Sequence, residues 1–175
     1  MELVLLLIPL CIFLLAYVMR GDRGFKPPEV SQISEVDLKA FEAAPSLFVN
    51  NAEATLFRYI AEALPASHHL HSKVRLEDII RVKRGLPGAA RWAARGRVKS
   101  RHVDYLITTR SGDIIMAIEL DGASHNPETP SEPDKVKTAL FQAAGVTLRR
   151  YRVGENFRHI SAAIADEMRA ELKSR

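Results

Sequence analysis

The run Ile114-Ile115-Met116-Ala117-Ile118, closed by Glu119, constrains this 175-residue chain more than any other feature. Five consecutive apolar residues bounded by turn signals suit a strand buried on both faces, which needs partner strands beside it and packed layers above and below. A second β-branched apolar run, Val103 to Thr109, precedes it, and Arg110-Ser111-Gly112-Asp113 between the two has the composition of a tight hairpin. Charges that emerge at the end of a doubly buried strand face a cleft.

If the hairpin loop holds an even number of residues centred on Ser111-Gly112, Asp104 lies across from Glu119, and His102 across from Asp121. Alternation along each strand puts these side chains on one face, a cluster of three carboxylates and an imidazole. Like charges opposed across a ladder are unfavourable, so stability alone explains the cluster poorly. A bound hard cation, Mg²⁺ or Mn²⁺, explains it better, with Asp104, Glu119 and Asp121 as the expected ligands. The competing reading is an exposed hairpin face whose acids pair with Arg101, Arg110 or Lys137. An odd-length loop would break the register.

Elsewhere the pattern alternates helices and strands. Asn51 reads as the N-cap of a helix through Leu64, with Glu53 in its first turn, Leu56, Tyr59, Ile60 and Ala63 on one stripe, and Pro65 ending it. Leu70 to Leu76 alternates weakly as a strand, and Glu77 to Val82 is a helical turn or loop entry. His68, His69 and His71 read as strand edge, since neither a cysteine nor an acid stands at ligand spacing. From Arg81 to Arg101 there is no acidic residue, and Gly85, Pro87 and Gly88 interrupt the chain, so the segment reads as a basic loop around Trp92. Its Arg91, Arg95, Arg97, Lys99 and Arg101 are candidate contacts to nucleic acid, with anionic lipid headgroups an equal alternative. After a proline-punctuated loop over 126–133, Asp134 to Ala144 reads as a helix stopped by Gly145, with Val136, Ala139, Leu140 and Ala143 facing inward. Val146 to Val153 is a strand. A last helix, about Arg158 to Lys173, aligns Ile160, Ile164, Met168 and Leu172. The order α-β-β-β-α-β-α predicts an α/β domain with helices covering a hairpin-containing sheet.

Leu3 to Met19 carries no charge, which predicts one transmembrane helix over residues 1–20, followed by a juxtamembrane linker and short helix from Ser34 to Ala43 within 21–44, and the folded domain over 45–175. Arg20, Arg23 and Lys26 flank the span, so the positive-inside rule predicts a single-pass inner-membrane protein with its C-terminal domain in the cytoplasm. The one cysteine, Cys11, lies inside the span, which excludes an intrachain disulfide or a thiolate metal site in the domain.

His102-Val-Asp104-Tyr-Leu-Ile, Ile118-Glu-Leu-Asp121-Gly-Ala-Ser-His125, Asp134-Lys-Val-Lys137 and Gly145-Val-Thr-Leu-Arg149 together resemble the bacterial DUF2726 family. That resemblance covers about residues 45 to 155. It implies membership of the restriction-endonuclease-like PD-(D/E)XK superfamily, with likeness to domains of the very-short-patch-repair type. The implied fold is an α-β-β-β-α-β core with a mixed sheet flanked by helices. The implied chemistry is metal-dependent hydrolysis of nucleic acid, with DNA favoured over RNA. In such proteins Asp104 and Glu119 would hold the metal, and Glu53 matches an accessory acid on the preceding helix. Asp121 departs from the pattern, because many members carry there the lysine that orients the attacking water. His125 or Lys137 would then supply that function, against an ordinary loop histidine for the first and a solvated helix face, the favoured reading, for the second. Two functions follow as expectations: a membrane-tethered metal-dependent nuclease, or a catalytically degenerate fold that binds nucleic acid or protein.

Overall fold

The computed structural model describes residues 39–122 and 131–174. The chain divides into two compact units, Met1–Pro45 and Ser46–Arg175, and the second carries every element below. The predicted membrane span lies outside the described residues, among which no helix is long and apolar enough to cross a membrane. Residues 39–45 hold a turn and irregular backbone, so the described end of the short helix predicted to reach Ala43 is not helical.

Helix α1, Asn51–Ala63, is capped one residue earlier than the sequence suggests: the Asn50 side chain, not that of Asn51, accepts from the Glu53 backbone N–H. Strand β1, His68–Arg75, runs into the single turn α2, Leu76–Ile79. The basic segment is not a loop but contains helix α3, Gly88–Val98. Pro87 stands at its N-cap position, where a missing N–H costs nothing, and Ala89, Ala90, Ala93 and Ala94 favour helix; the breakers start this helix rather than prevent it. Strands β2, His102–Thr109, and β3, Ile114–Asp121, form the hairpin. Helix α4, Glu132–Ala144, ends at Gly145 with φ of 70°, the left-handed conformation that glycine tolerates best. Strand β4, Thr147–Arg152, and helix α5, Phe157–Ser174, complete the chain.

The sheet is mixed, in the order β1-β2-β3-β4. The first two pairings are antiparallel and β3–β4 is parallel, which requires α4 as its crossover. One face packs Tyr105, Ile107, Met116 and Ile118 against Leu56 and Ile60 of α1 and Ile160, Ile164 and Met168 of α5. The other packs Leu106 and Ala117 with Leu76, Ile79, Val98 and Phe141. Each large side chain so buried contributes about 1.5–3 kcal/mol, and β3 is buried on both faces as its composition requires. The α5 stripe ends sooner than its four-residue spacing suggests, since Leu172 is 45% exposed.

Candidate functional site

The site begins with hairpin register. Thr108 pairs with Ile114, so the connection Thr109–Asp113 is odd in length, which would throw the acids out of opposition. A β-bulge corrects it. Ile107 pairs with Met116, leaving Ile115 as the extra residue, and Leu106 then pairs with Ala117 and Tyr105 with Ile118. Continued by one residue, this register sets Asp104 opposite Glu119. Both extend the alternation of Leu106 and Ala117, and both are buried. Asp104 Oδ2 accepts a 2.9 Å hydrogen bond from the Leu120 backbone N–H, which binds its carboxylate to the neighbouring strand.

Two lysines from other elements close on this pair. Lys73 of β1 places Nζ 2.9 Å from Asp104 Oδ1 and 2.7 Å from Glu53 Oε2. Glu53 is fixed in turn: its Oε2 also accepts from Val49 N–H at 3.1 Å, and its carbonyl accepts from the Tyr105 hydroxyl at 2.8 Å, so α1 is bolted to β2 beside the acids. Lys137 arrives from α4 because Phe141, fully buried, sets the inward face of that helix. Positions one and two turns before Phe141 are Lys137 and Asp134, which share its face. Lys137 Nζ lies 2.6 Å from Glu119 Oε1 and 3.1 Å from the His102 carbonyl oxygen. With its side chain only 16% exposed, Lys137 does not lie on a solvated helix face, which corrects the reading the sequence favours. Ala139 and Ala143, expected to face inward, are exposed, because the aromatic ring rather than the small residues decides the rotation of the helix.

Burial pushes the Glu119 carboxyl up to about 7; Lys137 pulls against it, Asp104 pushes it further and Arg150 pulls it down. Burial lowers the Lys73 pKa, but the hydrogen bonds and charges of Asp104 and Glu53 outweigh it and leave it raised. Lys73 is therefore a fixed cation, whereas Glu119 exchanges its charge near neutrality.

Asp121 does not join Asp104 and Glu119 in the expected three-carboxylate cluster. In the parallel ladder Glu119 stands beside Arg150 and Asp121 beside Arg152, and the Arg150 guanidinium holds Asp121 Oδ1 at 3.1 Å and Asp134 Oδ1 at 3.4 Å. Its positive charge offsets both acids. His102 is exposed, and its carbonyl rather than its imidazole meets the site. Among the described residues no three His, Cys, Asp or Glu side chains gather as a metal-holding group. His125 lies outside the described residues. The sequence carries no signal for Lys73 or Arg150, because nothing local marks a strand lysine that bridges two elements or an arginine that becomes adjacent only through a crossover.

The basic residues separate on α3. Arg91 and Arg95 line a cavity of about 540 Å³ with Arg75, Arg81, Lys83 and Arg84, and Arg95 stacks its guanidinium 5.8 Å from the ring of Trp92, itself 73% exposed. Arg97 lines a different, more apolar cavity with Leu86 and Leu140. Arg101 folds back and donates to the Arg97 carbonyl at 2.6 Å, closing the helix C-terminus, and Lys99 occupies its C-cap position. Of the five expected contacts, Arg91 and Arg95 share this cavity; Arg101 is committed to the helix end.

Residues 46–168 match the family described as Protein of unknown function (DUF2726), and the chain belongs to it. No curated protein and no solved structure matches the chain.

Proposed function

We propose that this DUF2726 domain is a PD-(D/E)XK-type phosphodiesterase in which Asp104 and Glu119 hold one divalent cation, Mg²⁺ or Mn²⁺, and Lys137 replaces the lysine missing at Asp121. The supporting observation is that two buried carboxylates meet across adjacent strands, each held by a lysine from another element. The donor set fits a hard cation, because the two carboxylates offer oxygen ligands side by side and the charge of Asp104 on Glu119 is one that a cation offsets. When bound, such an ion supplies Lewis-acid polarisation of a phosphoryl oxygen and a lower pKa for water beside it. Lys137, anchored on Glu119 and the His102 carbonyl, presents fixed positive charge where negative charge develops on phosphate. The Leu120 N–H holds the Asp104 carboxylate in place. The cavity lined by Arg91 and Arg95 offers phosphate contacts to a nucleic acid strand, DNA first, and Trp92 a stacking surface.

A second reading, a degenerate fold that binds nucleic acid or protein without cleaving it, draws on Asp121, which stands at the usual lysine position and is paired with Arg150. Mg²⁺ or Mn²⁺ should raise the melting temperature of the chain, and Asp104→Asn or Glu119→Gln should abolish both that rise and cleavage of DNA or RNA. No rise in the unsubstituted protein would remove the cation site from the proposal; a rise without cleavage of any substrate would leave the binding module.

The tether belongs to the same proposal. Arg20, Arg23 and Lys26 should retain the domain on the cytoplasmic side of the inner membrane. A topology reporter fused after Arg175 should then be active only in its cytoplasmic form, and periplasmic activity would contradict the orientation.

A further inference from the structure

Lys73 differs from an ordinary strand residue in its backbone and in its contacts. Its φ is +53°, in the left-handed region that a lysine seldom adopts and that persists only where surrounding structure enforces it. The β1–β2 register is the same on both sides of it, Ser72 with Tyr105 and Val74 with Val103, which sets Lys73 across from Asp104. The gain for that strained backbone is electrostatic, since Nζ reaches Glu53 Oε2 at 2.7 Å and Asp104 Oδ1 at 2.9 Å, the carboxylates of two buried residues on different elements.

We propose that Lys73 is a built-in counter-cation, whose ammonium fills, between Glu53 and Asp104, a place that a divalent ion would otherwise take. Two carboxylate oxygens within hydrogen-bond reach of one nitrogen need only a small side-chain adjustment to reach bond lengths of about 2.0–2.1 Å to Mg²⁺. Without the ammonium they are two buried like charges, and a cation or a proton must replace it. Lys73 thereby holds the domain to one exchangeable ion, the one between Asp104 and Glu119, and acts as a positioning residue that keeps the Asp104 carboxylate aimed. The single-ion count rests on the metal-binding reading above; the substitution of ammonium for ion does not.

Mn²⁺ titration calorimetry on the full-length chain, purified in non-ionic detergent, separates the two. Wild type should bind one ion, Lys73→Met one more, Lys73→Arg one as in wild type, and Glu53→Gln/Lys73→Met should lose the additional ion. Lys73→Met should also melt lower than wild type in chelator and recover more on Mn²⁺ addition. If Lys73→Met folds in neither condition, Lys73→Gln, which retains a hydrogen-bond donor without charge, is judged by the same count. Equal stoichiometry and affinity in wild type and the neutral variant would overturn the proposal while leaving the metal site intact. No ion in wild type but one in the neutral variant would support it and overturn the metal-dependent reading. No ion in either would overturn both.

Discussion

The end of the sheet and helix α3 use cationic side chains in opposite ways. Around Asp104 and Glu119 the lysines are mostly buried and carboxylate-bound, with Lys73 15% and Lys137 16% exposed. On α3, Arg91 and Arg95 line an open cavity with Arg75, Arg81, Lys83, Arg84 and one acid, Glu77, and the helix itself contains no acid. Where water is excluded, removing one partner strands the other's charge, whereas at an exposed position solvent and salt take over the work. A lysine at the sheet end should therefore matter for folding, and an arginine on α3 for what the protein binds.

The largest effect should come from Lys137→Met. It leaves Glu119 buried without its cation, so that the carboxyl must stay ionised and unpaired or take up a proton, and the fold should lose stability at pH 8. The loss should shrink at pH 5, where Glu119 takes up a proton. Urea denaturation at both values measures this, and an equal loss at the two would mean that Glu119 does not carry the effect.

A smaller effect is expected in the unsubstituted chain. The Glu119 pKa is raised from 4.5 in its ordinary state to about 7 in the fold, so over that interval the native state binds more protons than the unfolded one. This contribution to stability is fully present below about pH 4.5 and is lost as pH rises through about 7, amounting to about 3 kcal/mol at most. The slope between pH 5 and 7.5 should flatten in Glu119→Gln. Mg²⁺ should flatten it too, by holding the carboxylate ionised at lower pH. A variant with the wild-type slope would assign the titration to another group.

The smallest change in stability, within about 0.5 kcal/mol, is expected for Arg91→Ala/Arg95→Ala. The same pair should weaken nucleic-acid binding and reduce the magnitude of its salt slope by about 0.9 per lost phosphate contact on duplex DNA. If stability falls instead and the salt slope is unchanged, the contrast between the two regions fails on the α3 side.

Much of the framework is legible in the chain because it depends on local periodicity. The β2 and β3 runs, the helix closed by Gly145 and the stripe of Ile160, Ile164 and Met168 follow from the spacing of apolar side chains. Helix α3 was obscured by Pro87 and Gly88, which mark a boundary without telling whether a helix or a loop lies beyond it. The opposition of Asp104 and Glu119 is a more instructive case. It was expected from an even-length loop, but the loop is odd, and the bulge at Ile115 supplies the missing step. The acids meet as expected for a reason the sequence did not display.

The sequence by itself determined the strands and the helices other than α3, that β3 must be covered on both faces, and which acids stand at the strand ends, because each depends on residue type and short-range order. Tertiary structure alone decided what those acids face. Lys73 reaches Asp104 through antiparallel pairing and a left-handed backbone. Lys137 reaches Glu119 because buried Phe141 fixes the rotation of α4. Arg150 takes Asp121 through a parallel pairing completed only after the crossover. An ion pair is a matter of a few ångströms between side chains far apart in the chain, and the distances come from packing, where a one-residue bulge or a quarter-turn of a helix changes which charge is met.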